Sequence, residues 1–213
     1  MQAPGSNLLA TGDWSKALED DHGHKIRSRI TVYESAIVSF TTGFNNQSPG
    51  AKAAEAKQAE VTMPQSRVTS VYLEIQDLQG TNKTPTQIYF HVPDGLHVEL
   101  RDANGAPADK LRPDGGAGGV LHGMPGFWAT VPSGGLLRLH ANSGRGASLP
   151  GAGGGLNLQF RLAPHWIIPG GDTNAYFLSG VIAAAPADSS PAEHNAWQGP
   201  LQFPAVKVVA PRN

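Results

Sequence analysis

The 213-residue chain contains no cysteine, which excludes disulfides, zinc-thiolate sites and thiol catalysis while leaving the redox compartment open. It also lacks any run approaching the ~20 apolar residues of a membrane-crossing helix, so no membrane span is expected. Charge of one sign is missing too: 16 Lys and Arg stand against 17 Asp and Glu, for a net charge of -1. That balance provides no basic field for nucleic acid, which is therefore not an expected partner, and no acidic surface for a cationic one. Met1 to Ser6 has no basic and apolar run of signal-peptide type, so any export signal is expected to have been removed or never to have existed.

What the chain does contain is 26 Gly and 17 Pro, with charged residues at 15%, a composition of short elements joined by many turns. The clearest strand is Val71 to Gln76, where Val71, Leu73 and Ile75 alternate with Tyr72, Glu74 and Gln76, as a half-buried antiparallel strand requires. Leu156 to Leu162 repeats the pattern. Further strands are predicted at Ser28 to Tyr33, Ala36 to Thr42, Gln87 to His91, His97 to Arg101, Trp128 to Val131, Leu136 to His140, Tyr176 to Ala183 and Val206 to Val209. These make about ten short strands in one chain.

Asp102-Ala103-Asn104-Gly105 and Pro132-Ser133-Gly134-Gly135 have the residues of tight turns or hairpins, because Asn and Gly tolerate positive φ. The Gly-rich stretches Gly115 to Gly119 and Gly144 to Gly155 read as loops, since neither lies between a strand and a helix as a phosphate-cradling motif demands. Ala51 to Glu60, rich in Ala, Glu, Lys and Gln, has helix propensity but no wide apolar stripe, and so predicts a short surface helix or spacer. The expected fold is all-β, an antiparallel two-sheet sandwich of immunoglobulin-like or Greek-key type. It has long Gly/Pro-rich loops and one short surface helix, and forms a single domain over residues 1–213 with an insertion near 49–62.

The run Val71 to Asp77, then Thr86 to Phe90, then Leu96 to Gly105 ending in Leu-Arg-Asp-Ala-Asn-Gly, resembles immunoglobulin-like modules of secreted bacterial proteins. A second stretch, Trp166 to Thr173 with Tyr176 to Gly180, Ala196 to Leu201 and Pro204 to Val206, resembles uncharacterised envelope proteins of planctomycete type. The resemblance covers about two-thirds of the chain and consists of strand-and-turn patterns. It implies a fold and a secreted or cell-envelope location; it supplies no catalytic residue.

Among residues that could carry chemistry, Glu19-Asp20-Asp21-His22-Gly23-His24 concentrates carboxylates and imidazoles, which makes Asp20, Asp21, His22 and His24 the candidate metal ligands. Their spacing matches no specific metal motif, and the plainer expectation is a hydrated loop ahead of the strand at Ser28. His91, His97, His122, His140, His165 and His194 are scattered. A flat indole can stack on the apolar face of a sugar, so Trp14 and Trp197 are the candidate ligand-binding residues, with Trp128 and Trp166 expected in the core or anchoring loops. Gly146-Ala147-Ser148-Leu149-Pro150 is not a nucleophile elbow, because Pro ends it and no helix follows.

These readings favour a non-catalytic binding or structural module without a cofactor, whose partner is an extracellular polymer, a protein or further copies of itself. Exchange of terminal strands at Asn7 to Trp14 or Val206 to Ala210 would provide the self-assembly. The alternatives are a metal-dependent enzyme using the Asp20 to His24 cluster and a carbohydrate-binding accessory domain using the tryptophans.

Overall fold

A computed structural model describes residues 6–36, 67–80, 83–90, 95–112, 126–141, 156–160 and 165–210. They are mostly strand, arranged in antiparallel sheets with almost no helix. The predicted helix at Ala51 to Glu60 and both Gly-rich stretches lie outside the described residues, as does all of the Ala36 to Thr42 strand beyond Ala36.

The largest sheet contains β1 (Ser6–Thr11), β2 (Leu18–Glu19), β3 (Lys25–Ala36), β4 (Arg67–Asp77) and β8 (Leu136–His140), ordered β1-β3-β4-β8 with β2 also on β3. β5 (Thr86–Phe90) pairs with β7 (Phe127–Val131), and β9 (Leu156–Gln159) with β10 (His165–Ile168). β12 (Leu201–Val208), β11 (Tyr176–Ile182) and β6 (Leu96–Asp102) form a three-stranded sheet in that order.

The alternation in β4 places Val71, Leu73 and Ile75 in the core, each at most 1% exposed, and turns Tyr72, Glu74 and Gln76 to the other face. In β3, Ile26, Ile30 and Val32 follow the same inward phase, with Arg27, Arg29 and Tyr33 opposite. Among the described residues, one hydrophobic cluster draws on every sheet, from Leu73 and Ile88 to Trp166, Leu178 and Phe203. Burying each such large apolar side chain contributes ~1.5–3 kcal/mol, so the strands are held by this shared interior more than by their turns.

Both predicted turns form, with different consequences. At the end of β6, the Asp102 carboxylate accepts from the Asn104 and Ala106 N–H groups, and Gly105 takes φ +81°. The Pro132 to Gly135 segment does not close a hairpin: β7 pairs with β5 and β8 with β4, so the turn carries the chain from one sheet to another. Asp77 pins it there, its Oδ2 accepting from Gly134 N–H at 2.7 Å while its own N–H donates to the Gly135 carbonyl at 3.0 Å.

Candidate functional site

The outward face of the largest sheet is where charge and aromatic rings converge. Cross-strand register sets three rows on β3, β4 and β8: Thr31, Tyr72 and His140; Arg29, Glu74 and Arg138; and Arg27, Gln76 and Leu136. Such directly opposed side chains lie within ~5.5 Å at Cβ, so each row is a contact ladder.

The middle row is ionic. Glu74 is fully buried and receives Arg29 Nε on Oε2 at 2.6 Å and Arg138 Nε on Oε1 at 2.7 Å. In the row beside it, Arg27 Nε donates to the neutral Gln76 Oε1 at 2.8 Å. Glu74 is therefore the carboxylate paired with this group among the described residues, and three guanidiniums exceed it by two positive charges.

Aromatic rings enclose the cations. Trp14, in the segment between β1 and β2, lies under Arg27 and Arg29 at 4.6 and 4.2 Å from ring centroid to guanidinium carbon, close enough for cation–π attraction. Arg138 stands 5.7 Å from the centroids of Tyr33 and Tyr72, which meet edge to face at 5.6 Å. His140 continues the array 5.2 Å from Tyr72. Burial pushes its ring pKa below the ordinary 6.5, so at neutral pH the positive charge of this face belongs to the arginines.

Trp14 has its position because the edge of β3 guides the whole N-terminal segment. Gly12 N–H donates to the Ile30 carbonyl and Ser15 N–H to the Ser28 carbonyl, so Trp14 is held between two anchored points. A Cβ on Gly12 would stand 3.2 Å from Val206 Cβ and 3.3 Å from the Ile30 oxygen, which restricts this position to glycine or a slight displacement.

The tryptophans do not form one platform. Trp14 is half-buried on the outer face, whereas Trp197 is 6% exposed and belongs to the hydrophobic cluster. The expected stacking role at Trp197 thus meets an indole already covered by apolar neighbours. Trp166 is also in the core, and Trp128 is half-buried against Tyr89 and stacked on His194 at 4.3 Å.

The acidic and imidazole cluster forms the turn between β2 and β3. Asp20 Oδ1 accepts from the His22 and His24 N–H groups, while Oδ2 meets His24 Nδ1 at 2.7 Å and accepts from Gln198 N–H at 3.0 Å. His24 Nε2 lies 3.1 Å from Asn195 Oδ1, and Asn195 Nδ2 donates to the Pro85 carbonyl. Burial pushes the Asp20 carboxyl up, but the hydrogen bonds from the His24 ring and from the Gln198 and His24 N–H groups outweigh it and hold the group below 3.8. Asp20 and His24 are thus buried parts of a clamp joining this turn to the 195–198 segment, while Asp21 and His22 are exposed. No group of three or more His, Asp or Glu side chains is placed to hold a metal among the described residues.

Sequence reasoning singled out Trp14 but missed Arg27, Arg29, Glu74 and Arg138. The available signal was their shared outward phase in the alternating strands. Comparison of the chain with protein-family models, with curated proteins and with solved structures finds no match.

Proposed function

We propose that the chain is a non-catalytic, secreted or envelope-associated binding module that engages its ligand on the outward face of β3, β4 and β8. One observation carries the reading: a net excess of two positive charges and flanking aromatic rings are concentrated on a sheet face turned away from the core. A purely structural face needs no excess of guanidinium, because like charges repel. The secreted or envelope location rests on the strand-and-turn resemblance. The largest sheet and the β12-β11-β6 sheet are assigned as the two layers of a sandwich, supported by the hydrogen bond from Ser28 Oγ to the Gln202 carbonyl and by Gly12 packing at Val206.

Trp14 reports on this face. Its fluorescence is expected to change on titration with soluble oligosaccharides, acidic and neutral, and Trp14→Ala is expected to remove that change while leaving the thermal transition within a few degrees. An unaltered response in the variant would place binding elsewhere.

Self-association is a second reading, favoured by the exposed Leu8 and Leu9 of β1 and the exposed Val209 just after β12; Leu9 and Val209 line a cleft of about 330 Å³. Light scattering that shows a monomer at all concentrations would remove it.

A further inference from the structure

The ligand of this face has a definite chemistry. We infer that it is an acidic polysaccharide, a sugar chain with repeated carboxylates, lying across β3, β4 and β8; the inference rests on the binding role proposed above.

The first argument is the layout of the cations. Arg27 and Arg29 rise from backbone positions two residues apart on one strand, ~7 Å, and Arg29 and Arg138 converge on the two oxygens of one carboxylate, so the three guanidiniums form one continuous patch. A small anion would satisfy one or two of them, whereas a chain carrying several carboxylates can meet all three. The second argument is free donor capacity. The hydrogen bonds of Arg27 and Arg29 run through Nε, and the terminal nitrogens of both are without a hydrogen bond among the described residues. Those nitrogens form the planar fork that pairs with carboxylate.

The third argument is the aromatic frame. Tyr33 and Tyr72 are half-buried and lie next to Arg138. A partner must therefore offer apolar patches as well as charge, as the C–H faces of a pyranose do. Single-stranded nucleic acid also combines anions with flat groups, but its binding draws as well on a positive field that tracks the whole phosphate backbone. The chain's net charge of -1 adds no wider basic field to attract a phosphate backbone.

The test is calorimetric titration of the full chain with three probes: oligogalacturonate, the same oligomer fully methyl-esterified and hence neutral, and oligodeoxythymidine. Binding of the acid form is expected to exceed that of the ester at least tenfold and to weaken as salt is raised. Arg27 lies outside the Glu74 bridge, so Arg27→Gln should fold as the parent does, which a thermal melt checks, and should weaken acid binding about tenfold. Arg27→Lys, which keeps the charge but not the fork, should fall between. Equal binding of acid and ester, tighter binding of oligodeoxythymidine, or an Arg27→Gln variant with unchanged affinity would each overturn the acidic-polysaccharide assignment, yet leave a binding face in place. A Trp14 signal unmoved by all three probes would remove the binding role itself.

Discussion

Glu74 has no solvent exposure, while Arg29 and Arg138, which hold its two oxygens, keep 25% and 35% of their side chains in water. That asymmetry decides what each deletion does. Glu74→Ala frees two guanidiniums that can be rehydrated, so its cost is set by the lost charged hydrogen bonds, ~1–3 kcal/mol. Replacing both arginines by Met keeps their packed stems but strands a buried carboxylate, for which ~3–5 kcal/mol is the usual scale. Urea unfolding of the two variants is therefore expected to show the double Arg→Met change as the more destabilising. The reverse order would mean that Glu74 is rehydrated with little cost and that the bridge is not a buried one. The residues of this bridge are 45 and 64 positions apart in sequence. Each was legible as outward-facing from its strand's period, but their meeting depends on register, which no local pattern carries.

At the level of elements, the turn between β2 and β3 is fixed by side chains from a distant segment, and its acid sensitivity follows from Asp20. The carboxyl lies below its ordinary 3.8 in the fold, so the clamp's contribution is complete above that pH. It is lost as pH falls below 3.8 through the lower folded value. Asp20→Asn is expected to destabilise the protein by ~1–3 kcal/mol at pH 7, with the gap to the parent narrowing at pH 3; unfolding curves at the two values check this. A gap that stays constant would show that the carboxylate's charge does not matter to the clamp. The strands themselves were legible wherever one face is buried and the other is polar, as in Val71 to Gln76. β10 escaped because Trp166, Ile167 and Ile168 are apolar on both faces, leaving no alternation to read. The first half of β12 escaped for a different reason. Leu201 and Phe203 point inward, then a register shift at Pro204 and Ala205 flips the phase so that Val206 and Val208 do. Pro cannot donate to the ladder, so an edge bulge suits it.

At the scale of the molecule, one cluster of buried side chains among the described residues links strands that the sheet pairings alone would leave in separate groups. If that cluster governs stability, no sheet can unfold while the others persist. Two probes sample different depths: tryptophan fluorescence reports mainly on Trp166 and Trp197 in the core and Trp14 outside, whereas far-ultraviolet circular dichroism reports on every strand. Their denaturation curves are expected to coincide. Gly12 tests the link between sheets, because its neighbours Ile30 and Val206 belong to different ones and a methyl group there meets both at 3.3 Å or less. Gly12→Ala should cost ~1–3 kcal/mol by overpacking, and it should move both curves together although the substitution lies outside any strand. A variant in which the two curves separate would mean that the largest sheet retains its structure when its contact with β12 is disturbed, and the molecule would then comprise two folding units.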